Sequence, residues 1–210
     1  MRVPVQQGVS RAALAPVAAS PAGGPRRIIV VATVAALALL AIPPAAGFEA
    51  APDALFIQVG SGDAGVGQAV AGLQWDWAWP GRRLGSDRVR ASWEVSIGRW
   101  RAEPEGARAW YTQVGITPAL RYEFAPRASR TWFVEGGVGL NVITPNFLAG
   151  RRRFSTEFNF GDHLAVGWRA NRGPISEVAL RVQHFSNAGI DSPNPGQNFL
   201  QLRVAKSFGR

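Results

Sequence analysis

The feature that most constrains this chain is a repeated alternation of apolar and polar residues in long segments. Successive side chains of a β-strand point to opposite faces, so such a segment has one apolar and one polar face. Most of these segments reach the roughly 9–11 residues that a tilted strand needs to cross a bilayer, whereas strands of soluble sandwiches have about 5–6. The segments are 53–61, 66–79, 89–102, 110–124, 130–143, 153–168, 175–186 and 198–208.

This pattern predicts an all-β fold, an eight-stranded antiparallel transmembrane β-barrel. An even strand number, alternation and aromatic segment ends are typical of outer-membrane barrels. The inward faces carry charges and glycines, enough to fill an eight-stranded lumen and leave no channel. A secreted soluble β-sandwich or barrel is the alternative. The tryptophans expected to form interfacial girdles are Trp75, Trp77, Trp79, Trp93, Trp100, Trp110, Trp132 and Trp168.

The N-terminal region has the three parts of a secretory signal peptide. Arg26-Arg27 precedes an apolar run from Ile28 to Ile42, and small residues with two prolines follow it. The run is shorter than the roughly 20 residues of a spanning helix. We therefore predict that residues 1–47 are a signal peptide that is removed, and that residues 48–210 form the barrel. The alternative is an anchor that is retained.

Charge and cysteine content restrict the partners. Of 23 basic residues, four precede residue 48, and the 14 acidic residues all follow it, so the mature chain carries a net charge of +5. Nearly all basic groups are Arg, which favours bidentate contact with phosphate. For an exported chain this favours anionic lipid and argues against nucleic acid. The chain has no cysteine, so it has neither a disulfide framework nor a lipidation site.

The seventh segment ends in a candidate catalytic pair. His184 and Ser186 are two residues apart on one strand and share a face, as a general base and its nucleophile must. With both termini periplasmic, this strand ends on the extracellular side. The pair continues the apolar parity of Val178, Leu180 and Val182, so it faces lipid. Polar groups that face lipid are costly, and for that reason they are candidates for function.

The last strand adds a third polar residue to the same wall. Asn198 shares the parity of Leu200, Leu202 and Val204, and it is therefore expected to face lipid near the extracellular rim. A hairpin between the last two strands can place Asn198 across from His184, at a Cβ distance of about 5 Å. Three polar side chains at this depth suit a lipid substrate better than a soluble one.

The C-terminal motif resembles a known enzyme family. His184-Phe-Ser186-Asn187-Ala-Gly189, followed by Pro193-Asn194-Pro-Gly196 and a final strand, resembles the PagL-type lipid A 3-O-deacylases. These are eight-stranded outer-membrane serine hydrolases that remove the 3-linked acyl chain of lipid A. The resemblance is dense only near the C-terminus, and the barrel pattern is compatible with it over the whole mature chain.

The resemblance implies roles for particular residues. Ser186 would be the nucleophile and His184 the general base, and the amides around Asn187 and Gly189, with the support of Asn194, would form the oxyanion site. It also implies that a phenylalanine of the sixth segment lines the acyl groove, for which we take Phe160.

In one position the chain departs from the family. Asn198 stands where the best-known member has the glutamate that orients the histidine. An amide can orient an imidazole, but it cannot stabilise the imidazolium as a carboxylate does. Asp191 in the loop and Asp162 on the sixth segment are rival acids; Asp162 is expected too deep and to mark a bulge. Gln197 has lumenal parity.

The expected function is hydrolysis of the 3-linked hydroxyacyl ester of lipopolysaccharide lipid A by a serine esterase of the Gram-negative outer membrane. No cofactor, metal or nucleic acid is expected; the partners are lipid A and outer-membrane lipids, and a homodimer is compatible with the architecture. His163 has inward parity and is expected in a lumenal network. Arg151–Arg153 are expected in an extracellular loop, facing lipid A phosphates or solvent. The alternatives are an outer-membrane phospholipid esterase and a non-catalytic structural or adhesin-like barrel.

Overall fold

The computed structural model describes residues 51–77, 86–126, 129–170 and 173–208. Eight strands in these ranges form one closed antiparallel barrel, in which the first strand pairs with the last. The predicted eight-stranded barrel is therefore confirmed, while the predicted signal peptide, residues 1–47, lies outside the described residues. The barrel strands are β1 (Ala54–Gly62), β2 (Gly67–Asp76), β3 (Val89–Ala102), β4 (Ala109–Glu123), β5 (Arg130–Thr144), β8 (Phe158–Ala170), β9 (Glu177–Ser186) and β10 (Gln197–Ser207).

The connections differ between the two ends of the barrel. One end, which we call the site end, carries the β1–β2, β3–β4, β5–β8 and β9–β10 connections. The other, the termini end, carries Ala54 and Ser207. Two site-end connections are three-residue 3₁₀ turns, Asp63–Gly65 and Pro104–Gly106. The β5–β8 connection contains a small hairpin of β6 (Leu148–Ala149) and β7 (Arg152–Arg153).

This hairpin changes one predicted boundary. The sixth barrel strand was expected from residue 153, but β8 begins at Phe158. Residues 148–153 pair with each other instead, and Phe154 is buried among the aromatic residues that close the lumen. Arg152 therefore belongs to an ordered hairpin at the site end.

The outer wall of the barrel is apolar, as a wall that faces lipid must be. On β9, for example, the outward residues Leu180 and Val182 are 49% and 56% exposed, while Arg181 between them is 2% exposed. At the termini end of this wall, Trp132 pairs with Trp168 across β5 and β8, whereas Trp110 is exposed near the site end. Trp79 lies outside the described residues. In the described ranges, no helix is long and apolar enough to cross a membrane.

The middle of the lumen is filled by an ion network, which confirms the predicted polar interior. Arg121 binds Glu135 at 2.6 Å and Glu177 at 2.5 Å. Arg181 binds Glu94 at 3.0 Å and Glu135 at 2.8 Å. Three buried Arg thus meet three buried Glu, since Arg203 also reaches Glu94 at 3.0 Å. Buried charges are tolerated when they are paired in this way.

Aromatic side chains close the lumen at the site end. Trp100 is fully buried, and its ring lies 4.8 Å from the rings of both Phe185 and Phe199. The prediction that Trp100 belongs to an interfacial girdle is wrong, because it shares the inward parity of Glu94. Its indole Nε1 donates to Gln113 at 2.9 Å. With the lumen packed at this level, a substrate reaches the wall only from outside.

Candidate active site

His184 and Ser186 are the last two outward residues of β9, at the site end of the apolar wall. Both are half-buried. His184 lies between two polar neighbours in register, Asp162 on β8 and Asn198 on β10. Ser186 pairs with Phe160 on β8. The predicted hairpin register is therefore present, and the predicted side chains form one patch.

The histidine is held by an amide. Nδ1 of His184 lies 2.8 Å from Oδ1 of Asn198. The other end of this amide is also fixed, because Nδ2 of Asn198 donates to Oδ2 of Asp63 at 2.8 Å. A carboxylate only accepts hydrogen bonds, so the amide nitrogen must face Asp63 and its oxygen must face His184.

This orientation decides which histidine tautomer the site favours. An amide oxygen also only accepts, so Nδ1 of His184 must carry the proton in this hydrogen bond. The lone pair is then on Nε2, the nitrogen that a general base uses in a Ser-His pair. Asn198 is thus placed against Nδ1 as the orienting carboxylate of a triad is placed.

Ser186 shares the face of His184 without a hydrogen bond to it in this structure. Catalytic hydrogen bonds are often long without substrate and tighten in the complex. The alternation of β9 already brings both side chains to the same surface. The hydroxyl and the imidazole are therefore neighbours on one face of the strand.

The loop after Ser186 is organised by two asparagines. Oδ1 of Asn194 accepts the backbone N–H of Asn187 at 3.1 Å, and Oδ1 of Asn187 accepts that of Gly189 at 2.9 Å. Nδ2 of Asn187 donates to Oγ of Ser155 and to the carbonyl oxygen of Asp191. The backbone N–H groups of Asn187 and Gly189 are therefore both engaged in shaping this loop.

The same loop carries two further hydrogen-bond donors. The backbone N–H of Ala188 lies two residues after Ser186, in a left-handed turn with a φ of 55°. Asn194, fixed through its oxygen, keeps both Nδ2 hydrogens for a ligand. In the described ranges, neither donor has a protein partner. Both groups belong to the region around Asn187, Gly189 and Asn194 for which the sequence predicts the oxyanion site.

Gly196 and Arg152 complete the surroundings of the histidine. A Cβ built on Gly196 would lie 2.5 Å from Cε1 of His184, so the glycine packs directly on the imidazole. Nη1 of Arg152 donates to the carbonyl oxygen of Gly196 at 2.9 Å and lies 3.0 Å from Oδ2 of Asp63. Arg152 therefore joins the small hairpin to both sides of the site.

Comparison with known proteins places this arrangement in a family. The model of the lipid A 3-O-deacylase (PagL) family matches residues 67–207, about two thirds of the chain. The chain belongs to this family. The matched residues include His184, Ser186 and Asn198, which were singled out from the sequence.

Two curated relatives are both lipid A deacylases PagL. The protein of Bordetella bronchiseptica is 32% identical over 115 residues, which are 55% of this chain and 61% of that protein. The protein of Pseudomonas aeruginosa is 29% identical over 125 residues, 60% of this chain and 69% of that protein. The crystal structure of the outer membrane enzyme PagL shares the fold, with a TM-score of 0.65 at 24% identity, over 74% of this chain and 99% of that one.

The structure distinguishes between the acids that the sequence suggests as partners of His184. Asp162 lies directly across from His184 in an unbroken register, so the expectations of excess depth and a bulge are wrong. It forms no hydrogen bond with the histidine in the described ranges. The side chain of Asp191 accepts the N–H of Ser192 at 2.7 Å. Gln197 is fully buried on the lumenal side, as its parity predicted.

Sequence reasoning missed Asp63, the acid that is hydrogen-bonded to Asn198. Asp63 lies in the β1–β2 turn, far from the family motif along the chain, and it reaches Asn198 only because β1 closes the barrel against β10.

As for metals, no group of three or more His, Cys, Asp or Glu side chains in the described ranges is arranged to hold an ion.

Proposed function

We propose that this chain is a serine esterase of the Gram-negative outer membrane that hydrolyses the 3-linked hydroxyacyl ester of lipid A. The observation that carries the proposal is the pair of hydrogen bonds on Asn198, which hold the His184 imidazole beside Ser186 on the outer wall. Family membership supplies the substrate class. Lipid A in the outer leaflet would reach this wall directly if the site end is extracellular.

The chemistry begins with proton transfer from Oγ of Ser186 to Nε2 of His184 as the oxygen attacks the ester carbonyl. The C–O π bond breaks and leaves a tetrahedral oxyanion, which we assign to the Ala188 N–H and Nδ2 of Asn194. Fixed donors at a developing oxyanion are usually the largest single contribution to such catalysis.

Collapse of the tetrahedral intermediate breaks the ester C–O bond, and His184 gives its proton to the departing 3-hydroxyl of the sugar. Water then attacks the acyl-serine by the same proton route and releases a hydroxy fatty acid. Phe160, paired with Ser186 and beside exposed apolar wall, is assigned to the acyl chain. No step of this proposed reaction requires a cofactor.

Export and assembly belong to the same proposal. Residues 1–47 would be removed as a signal peptide, and N-terminal sequencing of the membrane-inserted protein should begin near residue 48. A homodimer remains a prediction, which cross-linking in intact outer membranes would test.

Mass spectrometry of lipid A from Gram-negative cells that express the chain tests the activity. Expression should remove the mass of one hydroxyacyl chain, and Ser186→Ala should restore the full mass while the protein remains in the outer membrane. If lipid A still loses the hydroxyacyl mass when Ser186→Ala is expressed, Ser186 is excluded as the nucleophile. Absence of any loss with the unaltered chain would favour the structural or adhesin-like alternative.

A phospholipid esterase is the second candidate, because an exposed wall gives glycerophospholipid the same access to Ser186. Purified protein offered lipid A and phospholipid in mixed micelles separates the two. Faster fatty-acid release from phospholipid would overturn the substrate assignment without changing the catalytic residues.

A further inference from the structure

Asp63 is connected to the catalytic histidine through one intervening side chain. Its Oδ2 accepts Nδ2 of Asn198 at 2.8 Å and the backbone N–H of Asn198 at 3.3 Å. Oδ1 of the same amide lies 2.8 Å from Nδ1 of His184. The result is a continuous path of side chains from the imidazole to a carboxylate.

The local backbone is built to bring this carboxylate close. Asp63 follows the last residue of β1, and β1 is hydrogen-bonded to β10 throughout. A side chain on Gly62 would collide with the carbonyl oxygen of Asn198, so the glycine permits the approach. Nε2 of Gln197 donates to the carbonyl oxygen of Asp63 at 3.0 Å and fixes the turn from the lumenal side.

We propose that Asp63 is a positioning residue for the esterase reaction, acting on His184 through Asn198. This rests on the proposed roles of His184 and Ser186. The carboxylate fixes the Asn198 amide so that its oxygen faces the imidazole. It also polarises the amide, because a hydrogen bond to an ionised acceptor is stronger than a neutral one. The negative charge absent from position 198 is thus supplied one side chain further away.

Arg152 ties the same carboxylate to the other face of the histidine. Its Nη1 lies 3.0 Å from Oδ2 of Asp63 and 2.9 Å from the carbonyl oxygen of Gly196, the residue that packs on the imidazole. The guanidinium therefore fixes Asp63 relative to the β9–β10 loop. Asp63 constrains His184 along two routes, through Asn198 and through Arg152 and Gly196.

The first test compares Asp63→Asn with a matched variant, Glu105→Gln. Glu105 occupies the other site-end 3₁₀ turn, Pro104–Gly106, between β3 and β4 on the far side of the barrel from β9. With purified lipid A in detergent, Asp63→Asn should lower kcat roughly ten- to hundredfold, the range typical of partners that orient a functional imidazole. KM should change little, and Glu105→Gln should match the unaltered chain. A change in KM with kcat unaltered, or an equal loss of kcat in Glu105→Gln, would contradict the proposal.

The second test places the carboxylate directly on the histidine. In an Asn198→Glu background the new carboxylate can bind Nδ1 of His184 itself, so Asp63→Asn should then cost less than about twofold, since interacting residues are not additive. An equal loss in both backgrounds would mean that Asp63 acts only on the structure of the turn. If Asn198→Glu does not assemble, Asp63→Glu provides the comparison: its retained charge should give a kcat above that of Asp63→Asn.

Ser186→Ala, assayed in parallel, separates this proposal from the proposed function. If Ser186→Ala is inactive and Asp63→Asn is fully active, the role of Asp63 is excluded and the esterase assignment stands. If Ser186→Ala remains active, the esterase assignment fails, and the role of Asp63 fails with it.

Discussion

The two histidines of this chain lie on adjacent strands and on opposite faces of one wall. His163 on β8 points into the lumen, is 4% exposed, and has its Nε2 3.4 Å from Glu135 in the ion network. His184 on β9 points outward, is half-buried, and is bound by the neutral amide of Asn198. The imidazole therefore belongs to a buried ion network on the inner face of the wall and is accessible from outside on the outer face.

The difference between the two settings is the freedom of the imidazole to exchange protons with a substrate. Inside, fixed charges surround His163, and the aromatic cluster with Trp100 separates it from the site end. Outside, Nδ1 of His184 is held by Asn198, and its other ring nitrogen has no hydrogen-bond partner among the described residues. A polar network alone is thus not evidence of catalysis; the side chain must also be accessible to a substrate.

The prediction with the largest expected effect tests this comparison by removing each histidine in turn. His184→Ala should lower kcat by at least about 10³-fold, because removal of a triad-type base disables the nucleophile. His163→Ala should leave kcat within a fewfold and instead lower the free energy of unfolding by roughly 1–3 kcal/mol, through lost packing and a lost contact with Glu135. Lipid A hydrolysis measures the first, and urea unfolding in lipid vesicles the second. Strong inactivation by His163→Ala in a stable barrel would assign the lumenal histidine a role in the chemistry.

The second prediction separates the two functions of Asn194. Asn194→Asp keeps an oxygen to accept the N–H of Asn187 but removes the Nδ2 donors. It should therefore lower kcat by roughly 10²-fold, the cost of losing one oxyanion donor. Asn194→Ala should lose at least as much, since it also releases the loop. Steady-state kinetics on lipid A would check both. If Asn194→Asp kept normal kcat, the side chain would support the loop only.

Much of this wall was predictable from alternation. Strand parity places His184 and Asn198 outward, and the pairing of β9 with β10 is the one expected of consecutive antiparallel strands. Asp63 was not predictable in this way, because it lies 135 residues from Asn198 and meets it only through barrel closure. Trp100 was misassigned because tryptophan suits both an interface and an aromatic core. Parity would have resolved that choice.

A third prediction concerns the packing on the outer imidazole. Gly196 and Gly189 both have positive φ, 68° and 82°, so alanine strains the backbone at either position. A Cβ at 196 would also strike His184, whereas a Cβ at 189 would meet nothing within 4 Å. Gly196→Ala should therefore lower kcat on the order of tenfold more than Gly189→Ala, in assays on lipid A. Equal losses would show that backbone strain, and not the position of the ring, limits the rate.

The last comparison ranks the polar residues around His184, down to the smallest expected effect. Asn198→Ala should cost the most, since it removes the hydrogen bond to Nδ1 and the path to Asp63. Asp162→Asn should cost less, because Asp162 lies across from His184 without a hydrogen bond to it. Both variants should insert normally, since both side chains are on the outer wall.

Asp191→Asn should be nearly silent, with kcat within about twofold of the unaltered chain, because surface changes away from packed features have little effect. Its side chain accepts only the neighbouring N–H of Ser192, and an amide oxygen can accept the same bond. The carbonyl oxygen of Asp191, which receives Nδ2 of Asn187, is unaltered by the substitution. Initial rates on lipid A for the three variants, at equal amounts of folded protein, give the ranking. If Asp191→Asn were inactive while Asn198→Ala kept its rate, the charge that supports His184 would come from Asp191 in the β9–β10 loop rather than from Asp63 in the β1–β2 turn.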